Sequence, residues 1–171
     1  MGAEAFCHAY VQCFGLDVRI VRPSAVYGLG MNFPIYVRPM VEAAVAGQPV
    51  AFASGGPVAR DYTHVKDLAG ITMALLDGPA DADRTFFGAT GRDLVSASRV
   101  AELVRELVPG ADITIADVVG PADRFESGGF RGRLSIDNAR EQLGWAPRFG
   151  DIRDGLAEYV DSLRAYRAAQ A

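Results

Sequence analysis

Residues 17–28, Asp17-Val-Arg-Ile-Val-Arg-Pro-Ser-Ala-Val-Tyr-Gly28, decide how this chain is read. Residues 17–22 form a β-rich run ended by Pro23, which reads as a short buried strand. The segment 24–34 carries Gly28, Gly30 and Pro34 and reads as an irregular loop. Immediately upstream, Ala3, Phe6, Cys7, Tyr10, Val11 and Phe14 recur at helical spacing, and Gly15 stands where a helix would stop. A helix over 2–14 that runs straight into a buried strand is the grammar of an α/β layer arrangement.

The rest of the chain repeats this alternation. Helices are predicted over 35–46, 64–77 (opening near Lys66 or Asp67, with Asp67 as N-cap), within 96–110, over 137–143 and over 151–171. Ser96 or Ser98 is the expected N-cap of the third of these, and Pro109-Gly110 its stop. Strands are predicted over 49–54, 84–90 and 111–119, giving about four in all, with parallel pairing. Residues 120–133 read as loop.

Composition narrows the function classes. The net charge is −4, which argues against a nucleic-acid or anionic-membrane surface. No run of about 18 apolar residues exists, and no basic region followed by an apolar run opens the chain, so the expected location is cytoplasmic. Cys7 and Cys13 lie six residues apart, on different faces of their helix, and are expected to be buried reduced thiols. Two isolated histidines, His8 and His64, and two cysteines without ligand spacing predict no metal site.

Three segments in order carry a resemblance: Arg22-Pro-Ser-Ala-Val-Tyr-Gly28, Arg60-Asp-Tyr-Thr-His-Val-Lys-Asp67, and Ala139-Arg-Glu-Gln-Leu-Gly-Trp-Ala-Pro147. At this spacing the chain resembles the NAD-dependent epimerase/dehydratase family, the extended short-chain dehydrogenases/reductases, from Ala3 to about Leu163. The resemblance is to the C-terminal half of that family. It implies an α/β fold that is the C-terminal part of a Rossmann-like doubly wound sheet plus a small α/β substrate-binding subdomain. Residues 1–28 would be the last part of the Rossmann-like core and 29–171 mainly the substrate-binding region, with 64–90 returning to the core.

The resemblance also implies an activity and its missing parts. Family members hold NAD or NADP on a strand–GxxGxxG–helix unit, where the pyrophosphate sits on a helix N-terminus. Gly28-Leu-Gly30 is followed by Met-Asn-Phe rather than by such a helix. The family's Tyr-x-x-x-Lys pair has no counterpart at its place in the family order either: setting the family's glutamate on Glu4 places the lysine one position before Met1. Lys66 is the single lysine of the sequence, and neither Tyr10 nor Tyr27 has a lysine four residues on. No catalytic residue is therefore assigned, and neither independent catalysis nor cofactor binding is expected of this chain alone.

What the resemblance assigns here is the substrate side. Pro23 and Ser24 are the expected cofactor-facing residues at the strand's end. Ala25, Met31, Asn32, Phe33, Arg60 and Arg124 are the expected substrate contacts, with Arg60 on the phosphates of a nucleotide sugar. Ala25 stands where nucleotide-sugar epimerases often have asparagine. Arg131 and Arg133 are further arginines of the same loop region. His64 is expected to be packed and hydrogen-bonded, and Trp145 to be a packing anchor. A nucleotide sugar or a related polyol or sugar acid is the implied partner. A second copy, through the N-terminal helix, or a chain carrying the other half is the implied protein partner. The other class of function is a non-catalytic binding protein, or one half of a split enzyme.

Overall fold

A computed structural model describes residues 2–33, 35–121, 123 and 132–170. Helix α1 (Gly2–Phe14) ends on Gly15, whose positive φ of 64° closes the last turn. The chain then enters β1 (Ile20–Pro23), which pairs in parallel with β6 (Thr85–Gly88), Ile20 opposite Thr85 and Pro23 opposite Gly88. Pro23 is tolerated because it is the final residue of the strand. At Ser24 the backbone changes partner. The Ser24 amide donates to the Gly88 carbonyl, and the next amide, Ala25, donates to Asp61. From there β2 (Ala25–Tyr27) runs parallel to β5 (Tyr62–His64).

Two further pairs complete the strands described. β3 (Val50–Phe52) and β8 (Ile113–Ile115) are parallel, and β4 (Ala59–Arg60) and β7 (Val95–Ser96) are antiparallel. The described residues thus hold eight short strands in four pairs rather than about four. β2 lies within the segment expected to be loop, and β4 and β5 arise from residues to which the sequence assigned no strand. Strands of two or three residues are too short to show an alternating pattern, so only their partners define them.

The helices pack these pairs on two cores. The larger joins α2 (Val37–Ala46), α4 (Ala97–Leu107) and the terminal helix, α6 (Ile152–Ala168), through Met40, Val41, Val100, Val104, Leu156 and Val160. The smaller gathers Ile71 and Leu75 of α3 (Val65–Leu76), Phe86 of β6, Ala139 of α5 (Asp137–Leu143) and Trp145. Ser96 caps α4 by accepting the Arg99 amide, and Asp151 caps α6 by accepting the Arg153 amide. Helix α3 begins earlier than expected: its N-cap is His64, whose Nδ1 accepts the Lys66 amide, and not Asp67. Cys7 is half-buried and Cys13 exposed, both as free thiols, because α1 buries none of its residues within the chain.

Candidate functional site

A cleft of about 670 Å³ lies beside the C-terminal end of β1, where the chain switches from β6 to β5. Open α/β sheets bind ligands at such positions, because two diverging strand ends leave a crevice. Pro23, Ser24, Ala25 and Val26 form one wall; Met31, Phe33 and Ile35, from the loop after β2, form a second. Arg60, the last residue of β4, and Asp61, between β4 and β5, stand with Leu94 and Leu134 on the remaining side.

Six of the eight expected site residues therefore line one cleft: Pro23, Ser24, Ala25, Met31, Phe33 and Arg60. Asn32 is exposed and is not among the cleft's walls; its carbonyl accepts a hydrogen bond from Arg38. Arg124 and Arg131 lie outside the described residues. Arg133 lines a second, more polar cleft of about 520 Å³ with Arg92, Asp93, Arg140 and Asp151. Gly132 and Leu134, its neighbours, face the first cleft, so Arg133 sits on the opposite side of that strip.

Ser24 and Asp61 of the first cleft belong to a polar cluster with the buried Thr63 and Thr90, and the sequence assigned no role to Asp61, Thr63 or Thr90. Asp61 Oδ1 accepts from Ser24 Oγ at 2.7 Å and from the Thr90 amide at 3.1 Å. Asp61 Oδ2 accepts from Thr90 Oγ1 at 2.7 Å. Thr63 Oγ1 lies 2.7 Å from Ser24 Oγ and 2.9 Å from the Gly88 carbonyl oxygen. A buried carboxylate is tolerable only with such a set of donors. The signal available in the sequence was the Arg-Asp-Tyr-Thr-His run, which shows that Asp61 belongs to a motif but not what it holds.

Asp67 and His64 perform a second, purely architectural task. Asp67 accepts the amides of Arg148 (2.8 Å) and Phe149 (3.0 Å), pinning the segment before α6 to α3. The His64 ring lies 4.5 Å from the Phe149 ring, and its Nε2 is 2.7 Å from Glu158 Oε2. Since Nδ1 accepts the Lys66 amide, the neutral ring carries its proton on Nε2, the nitrogen beside Glu158. Burial pushes His64 below its ordinary value, against the opposing pull of Glu158 and Asp67. Lys66 also pairs with Glu158, and both this lysine and Ser162 hold the Glu158 carboxyl low in spite of its partial burial. His64 is thus packed and hydrogen-bonded, and Trp145 is buried against Gly70, in keeping with the sequence reading of both. His8 is exposed on α1, away from the first cleft.

The described residues contain no group of three or more metal-ligating side chains and no helix long and apolar enough to cross a membrane. They also offer no pyrophosphate cradle at Gly28–Gly30. Gly28 has a φ of 130° and packs so closely on α3 that a Cβ would lie 2.6 Å from Val65 Cγ1. This glycine serves loop-to-helix packing, and Met31 follows in a loop.

Comparisons with known proteins agree with this geometry. The model of the NAD dependent epimerase/dehydratase family matches residues 1–86. GDP-L-fucose synthase 1 of Arabidopsis thaliana is 31% identical over 170 residues, covering 91% of this chain and 48% of that protein. A dTDP-glucose 4,6-dehydratase of an Actinoplanes species is 30% identical, over 98% of this chain and 50% of its own length. Among solved structures, a UDP-glucose 4-epimerase from Thermotoga maritima, determined with UDP-glucose, superposes with a TM-score of 0.79 at 21% identity, over 97% of this chain and 52% of that one. MoeE5 in complex with UDP-glucose and NAD gives 0.77 at 22% identity, over 96% and 54%. This chain spans about half the length of the relatives it matches. Its fold is the mixed α/β, Rossmann-like fold of those epimerases, and the chain belongs to the NAD-dependent epimerase/dehydratase family.

Proposed function

We propose that the first cleft is the nucleotide-sugar side of an NAD(P)-dependent epimerase, dehydratase or reductase. In this reading Arg60 holds the substrate's phosphates through paired guanidinium donors, and Ala25, Met31 and Phe33 surround the sugar and base. Pro23 and Ser24, at the end of β1, face the reacting carbon and the nicotinamide. When bound, that cofactor supplies hydride transfer; these residues orient the sugar and exclude water. The observation that carries the reading is the convergence of Pro23, Ser24, Ala25 and Arg60 on one crevice at a strand-partner switch. Support from relatives lies in the UDP-glucose and NAD held by MoeE5. Tyr62 and Lys66 stand four residues apart, but Tyr62 is buried in the larger core and Lys66 pairs with Glu158, so in this proposal the chain by itself is a binding unit, without turnover.

Calorimetric titration with UDP tests this. The 171-residue chain is expected to bind UDP, and Arg60→Ala to weaken it about 10- to 100-fold, the worth of a hydrogen bond to a charged group. Unchanged affinity in Arg60→Ala, or no binding of UDP by the chain, overturns the reading.

A second reading has its own observation. Phe6, Tyr10 and Phe14 stand exposed along α1, a face suited to a partner chain or a second copy. Sedimentation analysis separates the two: a monomer that binds UDP favours the first reading, and a stable dimer indifferent to UDP the second.

A further inference from the structure

We infer that Ser24 is a specificity-determining acceptor for a hydroxyl of the ligand's sugar, and that Asp61 is the positioning residue that leaves Ser24 nothing but lone pairs to offer. This deepens, and rests on, the nucleotide-sugar reading of the cleft. Ser24 is fixed from both sides of the strand switch, by its own amide on Gly88 and by the Ala25 amide on Asp61. Its hydroxyl carries a single proton and meets two oxygens at 2.7 Å, Asp61 Oδ1 and Thr63 Oγ1.

The carboxylate is the stronger acceptor of the two, since charge-assisted hydrogen bonds are roughly twice as strong as neutral ones. The Ser24 proton therefore points inward, to Asp61. Asp61 cannot swing away to release it. Thr90 grips both carboxylate oxygens through its amide, at 3.1 and 3.2 Å, and the outer one again through its hydroxyl at 2.7 Å. Thr63 Oγ1 has one proton and three oxygen neighbours, Ser24 Oγ at 2.7 Å, the Gly88 carbonyl at 2.9 Å and Asp61 Oδ1 at 3.5 Å. With the Ser24 proton on Asp61, the 2.7 Å contact is bridged by the Thr63 proton, which occupies one Ser24 lone pair and leaves the other. Asp61 is 5% exposed, so water does not compete for these bonds.

Ser24 itself still lines the cleft. A ligand group that reaches its hydroxyl from that space meets an oxygen whose proton is committed elsewhere. A ligand group seated on it must donate, as a sugar hydroxyl does. A keto, ether or phosphate oxygen, or a fluorine, brings a second acceptor against the first and is disfavoured. The site built from Ser24 and Asp61 thus selects for a hydroxylated sugar at this position.

The test titrates the 171-residue chain with UDP, UDP-glucose and UDP-glucose analogues that carry fluorine in place of one sugar hydroxyl each. UDP-glucose is expected to bind about 3- to 10-fold more tightly than UDP, the worth of one net neutral hydrogen bond. Ser24→Ala removes that difference, and Asp61→Asn narrows it by loosening the hold on the Ser24 proton. On the wild-type chain, at least one fluorinated analogue binds no better than UDP, an arm that needs no variant to fold.

The inference is overturned if UDP-glucose gains nothing over UDP. It also fails if Ser24→Ala weakens UDP and UDP-glucose equally, as a structural role would, or leaves their ratio intact. Retention of full affinity by every fluorinated analogue overturns it as well. Loss of UDP binding altogether, or indifference of UDP to Arg60→Ala, sinks the nucleotide-sugar reading and this inference with it. Intact Arg60-dependent UDP binding without a Ser24 effect sinks the inference alone.

Discussion

Helices α1 and α6 sit at opposite ends of the chain, both with apolar residues at helical spacing, yet they end in opposite environments. Leu156, Tyr159, Val160 and Leu163 of α6 are buried in the larger core. Phe6 and Phe14 of α1 are 70% and 69% exposed, and no α1 residue is buried. What ties α1 down includes a solvent-exposed bidentate pair, Glu4 with Arg22, at 2.8 and 2.6 Å. Exposed ion pairs contribute little, because water screens them and two long side chains must be ordered. An apolar stripe announces that a helix will pack, but it does not say against what.

The contrast is broken most sharply at two glycines. A Cβ on Gly155, in α6, would lie 1.8 Å from the hydroxyl oxygen of the fully buried Tyr27. Gly155→Ala is therefore expected to destabilise the chain by about 3 kcal/mol, the upper part of the overpacking range. Gly2 of α1 has nothing within 4 Å of such a Cβ, and Gly2→Ala is expected to be neutral or slightly stabilising. Urea denaturation of the two variants compares them directly. Similar losses would show that α1 is as tightly packed as α6.

A middle-sized effect comes from the anchor between α3 and α6. His64 has its value lowered in the folded chain by burial, so the unfolded chain takes up the proton first. Stability is complete above about pH 6.5, the ordinary histidine value, and falls as the pH drops below it. Protonation would also place a hydrogen on Nδ1, against the Lys66 amide that this nitrogen now caps. His64→Asn keeps a capping oxygen and has nothing to titrate, so its melting temperature is expected to be flatter between pH 6.5 and 5. Losses of Glu158 with Lys66 belong to a lower range, as that carboxyl is itself held low. A wild-type profile already flat across that interval would refute the assignment.

The smallest effect is expected on α1. Phe14→Ser should change stability by less than about 0.5 kcal/mol, as for exposed positions generally. The same change should reduce any self-association of the chain seen by sedimentation, since it removes part of the exposed apolar face. A large loss of stability would mean that Phe14 is buried in solution, and the comparison with α6 would have to be redrawn.

Residue types and spacing determined a good deal by themselves. The helix over 2–14, the Ser96 cap, the short helix stopped by Gly144 and the order of the three motifs are all local patterns, set by propensities that act within a turn or two of chain. The family followed from that order. Tertiary structure decided the rest, for reasons of reach. β4 and β5 exist because Val95 and Ser96, and Ala25 to Tyr27, lie alongside them; five residues have no periodicity of their own. Asp61, Thr63 and His64 are polar types that usually face water, and only their partners Ser24, Thr90, Gly88 and Glu158, distant in sequence, make their burial tolerable. Which apolar stripe became core was likewise a question of neighbours. Burial belongs to a pair of surfaces, and a sequence states only one of them.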